Sequence, residues 1–460
     1  MSDDIDRLLP AAAVTSLEEH LATGGGEGLR RALQMDADAI IDEIDAAGLR
    51  GRGGAGFPTA RKWRGVRQTA ADARCALTLV ANAAEGEPGT YKDRMLIEQQ
   101  PYAFLEGICI ALHASGATSA SIGIKAKFVP AVTRLTEALD EIVAAGWEGA
   151  DRIGVVTGPD SYLFGEETGM LEVIEGKLPM PRIVRPFEQG LHGTTTSPNP
   201  TIVNNVETLT HVSRILARGA GWFRQAGTQD SPGTMVFTVV GDVENPGVYE
   251  LALGTPLRTL LVDIAGATDI KAVYSGVSSG VITPDMLDVP LTFDAMKEIG
   301  AGMGSGGFIV YDSTRSIVDV LSVLVNFLAV ESCGQCNACK LGNGAMAELL
   351  ATVQRGEGTQ TDLEALLRWT HTVTDQNRCY LPVGSQVVVG STVERFVDEF
   401  VTTVQRGEPT PADLPTPLIE TIDADTGEVV YHPRYHLKRA DWSYADEDPR
   451  EQRLDAIRAP

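Results

Sequence analysis

Apolar and polar residues along this chain fall into blocks, and the first blocks alternate between helical and extended patterns. Residues 36–44 carry apolar side chains at helical spacing, and this run ends at Gly48, as is typical of a helix C-terminus. The strand-like runs that follow are 75–81, 121–124 and 153–157, and the helical stretches are 102–114 and 131–145. The alternation predicts an α/β domain with a mostly parallel sheet over residues 35–230, after an N-terminal extension, residues 1–34.

A different pattern begins near residue 234. We predict a strand at 234–241, a turn at the Asn-Pro-Gly of residues 245–247, and a returning strand at 247–251. Two short helices and a strand at 307–311 complete a compact α+β module over residues 234–320.

The last third of the chain separates into a helical region and a tail. Residues 321–407 are mostly helical and contain four clustered cysteines, which indicates a helical bundle around a cofactor. The tail, residues 408–460, is rich in proline and then in charged and aromatic residues. This irregular tail wraps around a partner or is a loose end, and the loose end is the simpler expectation.

Composition and charge narrow the class of protein. The chain has 460 residues, a hydrophobic content of 43% and a net charge of −24, so nucleic acid and anionic membrane surfaces are unsuitable partners. It has no run of eighteen apolar residues, which argues against membrane insertion. Residues 1–6 are acidic and lack an apolar core, so we expect no signal peptide and a cytoplasmic location, which includes the periphery of a membrane complex. Cys75 and Cys109, in apolar surroundings, are predicted to be buried core thiols.

The remaining cysteines are the strongest chemical signal. Cys333, Cys336 and Cys339 form a Cys-x2-Cys-x2-Cys segment, and Cys379 follows after a long gap. In a reducing compartment, clustered cysteines favour metal binding over disulfides. Three close thiolates with one distant partner suit a [4Fe–4S] cluster. The alternative is a zinc site completed by Cys379 or His371, but the closely spaced third cysteine favours the cluster.

A glycine-rich segment, residues 48–59, indicates a second cofactor. Its glycines satisfy G-x-G-x-x-G, but they follow an amphipathic helix rather than a strand, so the standard dinucleotide fingerprint fails on context. Glycines let a phosphate or a flat ring approach the bare backbone, and Arg50, Arg52, Arg61 and Lys62 supply positive charge. The alternative is a flexible turn. It is less favoured, because so many glycines and cations are costly to order without a ligand.

Two further polar segments lie just after predicted strands. Residues 82–94 come at the carboxyl end of a strand, where open α/β sheets bind ligands, although a solvated charged turn is an equal alternative. Residues 162–170 contain Glu166 and Glu167, which suit hydrogen bonds from ribose hydroxyls and would repel a 2′-phosphate. The alternative for this pair is an acidic helix N-terminus that the helix dipole favours.

A fourth polar segment, residues 199–208, contains the twin asparagines Asn204 and Asn205. Asparagine amides donate hydrogen bonds to a heterocycle or a phosphate and also accept them. The alternative is that an asparagine caps a helix.

Five segments in this order carry a family resemblance: GLRGRGGAGFPT, NAAEGEPGTYKDR, YLFGEETG, PTIVNNVETL and ESCGQC. Together they resemble the NADH-binding flavoprotein subunit of respiratory complex I, and the diaphorase subunits of NAD-linked hydrogenases and formate dehydrogenases. The resemblance implies a Rossmann-like α/β FMN domain at 35–230 and an α+β ubiquitin-like SLBB domain at 234–320. It also implies that the helical bundle at 321–407 carries a [4Fe–4S] cluster.

The resemblance also implies which residues contact each cofactor. The FMN-binding residues would be Gly51, Arg52, Gly53, Gly54, Lys62, Asn82, Glu85, Gly165, Glu166, Val203, Asn204, Asn205 and Thr208. The NADH-binding residues would be Phe57, Glu87, Glu167 and Phe187, and the cluster ligands Cys333, Cys336, Cys339 and Cys379. No side chain is expected to act as a catalytic acid or base, because the cofactors carry the chemistry. Glu85 is the candidate for tuning the flavin.

The implied function is that of an NADH:acceptor oxidoreductase (diaphorase) subunit of a multisubunit complex. A hydride is exchanged between NAD(H) and FMN, and single electrons pass to the [4Fe–4S] cluster and on to partner subunits. The family's usual partners are a [2Fe–2S] thioredoxin-like subunit and a larger iron–sulfur or catalytic subunit.

Several positions depart from the family pattern. Ala84 stands where an aspartate is usual, Gly65 where a second aromatic residue is frequent, and Val184 where a lysine lies near the adenine, although Arg185 is adjacent. Residues 379–382 read Cys-Tyr-Leu-Pro instead of Cys-x-Leu-Gly. These departures leave an alternative function, a flavin and iron–sulfur electron relay or scaffold that has lost nicotinamide binding.

Overall fold

The computed structural model describes residues 7–423 and 426–446, so the expectation about residues 1–6 lies outside the described residues. The N-terminal helices are α1 (Leu17–Ala22), α2 (Glu27–Ala32) and α3 (Ala37–Ala47). The predicted amphipathic helix is α3, whose buried face is formed by isoleucines and an alanine. Gly48 ends it in the left-handed conformation, with φ of 72°, which a residue with a Cβ rarely adopts.

The α/β domain is built on a four-stranded parallel sheet. Its strands are β1 (Thr78–Ala83), β2 (Ala120–Lys125), β3 (Ile153–Gly158) and β4 (Thr201–Asn205), in the order β3-β2-β1-β4. Its helices are α4 (Thr59–Ala73), α5 (Lys92–Gln99), α6 (Pro101–Ser115), α7 (Val129–Ala144), α8 (Glu167–Ile174), α9 (Val206–Arg218) and α10 (Ala220–Phe223). Two 3₁₀ turns, Ala150–Arg152 and Tyr162–Gly165, flank β3.

Two details of this domain differ from the sequence prediction. β1 begins at Thr78 rather than Cys75, because the Cys75 N–H donates to the carbonyl of Ala70 and completes the end of α4. β4 was not predicted, since asparagines are uncommon in strands, yet its parallel pairing with β1 supplies the backbone partners.

The middle domain has a mixed sheet and its own apolar core. Its strands are β5 (Thr234–Gly241), β6 (Gly247–Ala252), β7 (Ile270–Tyr274) and β8 (Gly307–Asp312), in the order β6-β5-β8-β7. Only β5 and β8 are parallel. A π-helical turn (Thr259–Ile264), a 3₁₀ turn (Pro284–Met286) and α11 (Phe293–Glu298) connect the strands. The sequence did not predict β7, whose pairing with β8 is irregular near its start.

The C-terminal region is a helical bundle, as predicted. Its helices are α12 (Ile317–Glu331), α13 (Asn337–Gln354), α14 (Gln360–Thr372), α15 (Leu381–Arg395) and α16 (Val397–Arg406). One continuous core includes side chains from this bundle and from the middle domain. No helix among the described residues is long and apolar enough to cross a membrane.

The tail corrects the loose-end expectation. Strands β9 (Ile419–Ile422) and β10 (Val429–Tyr431) form an antiparallel pair, and a 3₁₀ turn (Tyr435–Leu437) buries the Tyr435 ring. The segment lies on the body of its own chain, where the Gly89 N–H donates to the carbonyl of Pro417 at 2.7 Å. Irregular backbone is stable here because its polar groups find partners far away in sequence.

The two isolated cysteines differ from each other. Cys109 is buried in α6, and burial raises the pKa of its thiol to about 12, as expected of a core thiol. Cys75 is only half-buried, because it lies in the turn between α4 and β1. The prediction of a buried thiol is therefore wrong for Cys75.

Candidate active site

The carboxyl ends of the parallel strands form a crevice. β2 and β4 lie on opposite sides of β1. The order in which strands are added to the sheet therefore reverses at the gap between β1 and β4. Ligands bind open α/β sheets at such a switch point. The register pairs Asn82 with Asn205 at the ends of β1 and β4, so two predicted FMN residues are neighbours at this edge.

The glycine-rich loop lies against the β4 side of the crevice. The loop closes where the Gly51 N–H donates to the carbonyl of Phe57 at 2.8 Å. The Arg52 N–H donates to Thr208 Oγ1 at 2.9 Å, which ties the loop to α9. A Cβ added to Gly53 would lie 3.1 Å from the Cβ of Asn205, so the loop packs tightly there. Bare backbone thus faces the crevice, as a phosphate or a flat ring requires.

The cations of this segment do not act together as predicted. Arg50 forms an ion pair with Asp294 at 2.9 Å, and Arg52 is buried, where its guanidinium donates to the carbonyls of Pro232 and Thr234. Burial lowers the pKa of Arg52 to about 10. The prediction that Arg52 supplies charge to a ligand is wrong, because its buried guanidinium donates to main-chain carbonyls. For Arg50, which is partly exposed, it stays a prediction.

Lys62 remains at the crevice. Its ammonium group donates to Glu167 Oε1 at 2.7 Å and to the carbonyl of Val203 at 2.9 Å, so it bridges α4, α8 and β4. On the same helix, Trp63 donates its indole N–H to Asn204 Oδ1 at 2.8 Å. These contacts bring Lys62, Val203, Asn204 and Glu167 of the predicted set together.

The second and third loops contact each other directly. Asn82 Nδ2 donates to the carbonyl of Gly165 at 2.8 Å, and a Cβ on Gly165 would lie 2.9 Å from the carbonyl oxygen of Ala84. Glu166 caps α8 by accepting the N–H groups of Thr168 and Gly169. Asn205 likewise caps α9. The capping interpretations are therefore correct for these two residues, whose main chains still border the crevice.

Below the crevice lies a buried charge cluster that the sequence analysis missed. Lys92 Nζ is 2.7 Å from Asp93 Oδ1 and 2.8 Å from Glu207 Oε2, and Asn205 Nδ2 donates to Asp93 Oδ2 at 2.6 Å. Burial raises the pKa of Asp93 to about 6 despite the neighbouring Lys92. The sequence shows only three consecutive charged residues at a helix start, a pattern typical of a solvated surface.

Glu85 and Glu87 have different surroundings. Glu85 is buried in an ion pair with Arg94, 3.0 Å from Nε. Glu87 accepts the Tyr162 hydroxyl at 2.6 Å and the Val277 N–H at 2.8 Å, and burial raises its pKa. Glu87 therefore joins the third loop to the middle domain.

The two predicted aromatic NADH residues are accessible. Phe57 is 43% exposed and Phe187 is 45% exposed, so both rings are partly open to solvent. The Arg61 guanidinium lies 5.6 Å from the centroid of the Phe57 ring. Exposed rings of this kind suit stacking on a heterocycle.

The four clustered cysteines line one small cavity. Cys333 and Cys336 come from the loop after α12, Cys339 from the first turn of α13, and Cys379 from the turn before α15. Leu163, Pro181, Ser332, Arg378, Leu381 and Pro382 complete the lining. His371, the alternative zinc ligand, is exposed on α14 and is not among these lining residues.

The chemistry of this cavity fits a [4Fe–4S] cluster. Burial raises the pKa of Cys379 to about 12 and also raises that of Cys339, so thiolates here need a strong cationic partner. The Cys339 sulfur has the Ser332 hydroxyl at 3.3 Å and Asn343 Nδ2 at 3.5 Å. Hydrogen bonds to sulfur of this kind tune iron–sulfur clusters.

Comparisons with known proteins agree with this arrangement. Residues 44–214 match the Nuo51 FMN-binding domain, 236–282 the SLBB domain, and 319–403 the NADH-ubiquinone oxidoreductase-F iron-sulfur binding region. A flavin domain, an SLBB domain and a [4Fe–4S] bundle in this order define the class of NADH-binding flavoprotein oxidoreductase subunits.

Individual relatives are similar over most of the chain. The F 2 subunit of the NADH-quinone oxidoreductase of Rhizobium meliloti (strain 1021) is 36% identical over 85% of this chain and 94% of its own. The HndC subunit of the NADP-reducing hydrogenase of Solidesulfovibrio fructosivorans is 34% identical over 89% of this chain and 84% of its own. The crystal structure of an air-oxidized NAD⁺-reducing [NiFe]-hydrogenase has a TM-score of 0.75 at 33% identity, covering 88% of this chain and 68% of that one.

The chain belongs to the family of NADH-quinone oxidoreductase F subunits and their hydrogenase counterparts. The predicted family, fold class and enzyme type are confirmed, and so are FMN and [4Fe–4S] as cofactors and NADH as substrate. The confirmed function is that of a diaphorase subunit that transfers electrons to partners, so the alternative without nicotinamide binding is set aside. Ala84, one of the departures, is buried among apolar side chains.

Proposed function

We propose that the crevice between β1 and β4 holds FMN. We also propose domain boundaries at 35–230 for the FMN domain, 234–320 for the SLBB domain and 321–407 for the helical bundle. The contacting residues would be Gly51, Arg52, Gly53, Gly54, Lys62, Asn82, Glu85, Gly165, Glu166, Val203, Asn204, Asn205 and Thr208. Arg52 would contribute its main chain only, because its side chain is turned toward Thr234. Glu85, which is ion-paired with Arg94, would tune the flavin by its charge.

The nicotinamide nucleotide would lie over the flavin, against Phe57, Glu87, Glu167 and Phe187. The exposed rings of Phe57 and Phe187 support aromatic stacking. Glu167 presents a carboxylate that Lys62 holds at 2.7 Å, which suits ribose hydroxyls and disfavours a 2′-phosphate. We therefore expect a preference for NADH over NADPH.

The cluster would be bound by Cys333, Cys336, Cys339 and Cys379. When bound, FMN supplies the conversion of a two-electron hydride to single electrons, which the iron–sulfur cluster accepts. The observation that supports this pairing is the position of Leu163. It lines the cysteine cavity and lies two positions before Gly165, so one short turn borders both cofactor sites.

The electrons then leave to partner subunits. A [2Fe–2S] thioredoxin-like subunit and a larger iron–sulfur or catalytic subunit are the proposed acceptors, in a cytoplasmic complex that can lie at a membrane. Relatives named as subunits of NADH-quinone oxidoreductase and of a hydrogenase support a multisubunit setting. Co-purification with the subunits encoded in the native host is the direct check.

Anaerobic titration tests this function. We expect NADH to bleach the flavin absorbance of the purified protein and NADPH to bleach it at least about tenfold more slowly, since tenfold corresponds to 1.4 kcal/mol of discrimination. Bleaching by NADPH alone would contradict the role given to Glu167. A flavin that neither nucleotide reduces would contradict the nicotinamide site.

Two cysteine variants test the assignment of the cluster ligands. Cys379→Ser should lose most of the cluster's iron and its broad visible absorbance, because serine is a poor ligand for this cluster. Cys75→Ser is the matched control, since Cys75 does not line the cavity. Equal iron content in the two variants would show that Cys379 is not a ligand.

A further inference from the structure

The tail contacts the segments that precede both cofactor loops. Lys438 and Glu331 are buried together, each with 2% of its side chain exposed, and Lys438 Nζ lies 2.6 Å from Glu331 Oε1. Glu331 is the last residue of α12, two positions before Cys333. The same ammonium group donates to the carbonyl of Asp160 at 2.6 Å. One buried cation of the tail therefore bridges the start of the cluster loop and the start of the third flavin loop.

Glu331, at the end of α12, contacts both the third flavin loop and the tail. Its Oε2 accepts the Tyr162 N–H at 2.9 Å, and its Oε1 accepts the Tyr435 hydroxyl at 3.0 Å. Tyr162 donates its own hydroxyl to Glu87. A continuous set of hydrogen bonds thus runs from the tail to the turn whose Leu163 lines the cysteine cavity.

Other tail groups hold the flanks of the cluster loop. Trp442 donates its indole N–H to the carbonyl of Val330 at 3.0 Å. Lys340, next to the ligand Cys339, donates to the carbonyls of Ala440 at 2.8 Å and Ser332 at 2.7 Å. The matched family regions end at residue 403, so the tail residues that make these contacts lie beyond them.

We propose that residues 409–423 and 426–446 form an internal strap, and that Lys438 is a positioning residue for electron transfer between flavin and cluster. The inference rests on the proposed FMN and cluster sites. The Lys438 charge keeps the buried Glu331 carboxylate in place, and Glu331 holds Tyr162 and its turn against the cluster loop. A buried carboxylate that loses its cation is strongly destabilised, so it would turn away or admit water and release that turn.

The charge balance has a second consequence. Glu331 is close to the cluster loop, and Lys438 compensates its negative charge. An uncompensated anion near a cluster disfavours the added electron and lowers the reduction potential. The potential therefore reports the ion pair itself, whereas a purely mechanical strap would leave it unmoved.

The experiment uses the full chain loaded with FMN and iron–sulfur cluster. In Lys438→Met we expect the cluster midpoint potential, measured by a redox titration followed by electron paramagnetic resonance, to shift to more negative values. We also expect faster hydrogen–deuterium exchange in the peptide that contains Tyr162, whose N–H loses its fixed acceptor. Arg439→Met is the matched control, because Arg439 is the adjacent exposed cation of the same tail and should change neither readout.

Three further variants make the test independent of the folding of Lys438→Met. Glu331→Gln should shift the midpoint to more positive values, because it removes the anion and leaves the cation. Lys438→Arg should keep the wild-type potential. The double variant Glu331→Gln, Lys438→Met should return toward it, since both charges are gone.

The outcomes separate this inference from the proposed function. If wild-type flavin is not bleached by NADH, the proposed function fails at that step. If bleaching is normal but Lys438→Met and Glu331→Gln leave the midpoint and the Tyr162 exchange as in wild type, the strap inference is overturned. Equal shifts in Lys438→Met and Arg439→Met would also overturn it.

Discussion

At the residue scale, Glu207 is the point where the buried charges beneath the crevice meet. Lys92 Nζ lies 2.8 Å from its Oε2, and its Oε1 accepts the Val236 N–H at 2.9 Å. Burial acts to raise its pKa, but Lys92 and His211 outweigh this effect and hold it at about 2. The carboxylate is therefore ionised at neutral pH, and it joins the α/β domain to β5.

His211 makes this cluster sensitive to acid. Burial lowers the pKa of His211 from 6.5 to about 4, so the unfolded chain takes up the proton first as the pH falls. The stability that neutral His211 contributes is complete above pH 6.5 and is lost as the pH falls through 4. The full shift corresponds to roughly 3 kcal/mol. Asp93 opposes this loss, because its raised pKa of about 6 makes the folded chain take up that proton first. We therefore expect the acid sensitivity of His211 to appear as a difference in urea midpoint between wild type and a variant that lacks this histidine.

Two variants check the assignment. His211→Gln should have an increasing urea midpoint relative to wild type as the pH falls from about 6.5 to 4, because the group that destabilises the folded chain in acid is gone. His371→Gln, at an exposed histidine of α14, should leave the profile unchanged. Equally steep profiles in His211→Gln and wild type would assign the acid sensitivity to other groups.

At the scale of elements, the crevice depends on the close approach of three loops. The first packs Gly53 against Asn205, and the third packs Gly165 against the carbonyl of Ala84. These contacts leave no space for side chains, so the loops present main-chain atoms at the carboxyl edge of the sheet. The helices that follow are capped by Glu166 and Asn205, which fixes where each loop ends.

Gly165→Ala tests this packing. The new Cβ would lie 2.9 Å from a backbone oxygen, closer than real Cβ atoms approach, so the third loop must move. We expect FMN affinity to fall about tenfold, or 1.4 kcal/mol, as measured by fluorescence titration of the flavin.

A glycine in open space provides the control. Gly344 lies on an exposed part of α13, and nothing lies within 4 Å of a Cβ placed there. Gly344→Ala should leave flavin affinity unchanged and stabilise the helix by about 0.5–1 kcal/mol. A similar loss of flavin in both variants would show that the effect of Gly165→Ala is not local.

At the scale of the whole molecule, buried side chains cross from one domain to the next. The Arg52 guanidinium donates to carbonyls at the start of the middle domain, and Glu87 accepts an N–H from the same domain. Glu331 and Lys438 link the bundle and the tail to the flavin domain. The domains are therefore expected to unfold together rather than one by one.

Arg52→Met tests the first of these connections. It leaves the Pro232 and Thr234 carbonyls without their charged donor, and we expect the free energy of unfolding to fall by about 3 kcal/mol. Arg50→Met is the neighbouring control, since its ion pair with the exposed Asp294 is worth on the order of 1 kcal/mol or less. Similar losses in the two variants would contradict a special role of Arg52 in joining the domains.

The sequence predicted some features well because their signals are local. The α3 periodicity and Gly48 predicted a helix and its end, and the Cys-x2-Cys-x2-Cys spacing predicted a cluster site. The strand β4 and the burial of Lys92 were missed. Polar residues there indicate a solvated loop unless the partners are known, and those partners come from distant segments.

The sequence by itself determined the order of the domains, the cofactors and the family, because periodicity, glycine spacing and cysteine spacing act over a few residues. Only the tertiary structure decided which cations remain at the crevice, how close Leu163 comes to the cysteines, and where the tail lies. The pair Lys438 and Glu331 shows the reason, since 107 positions separate the two residues. A buried ion pair is stable only when both partners are in place. No local sequence pattern shows that two such distant residues will be in contact.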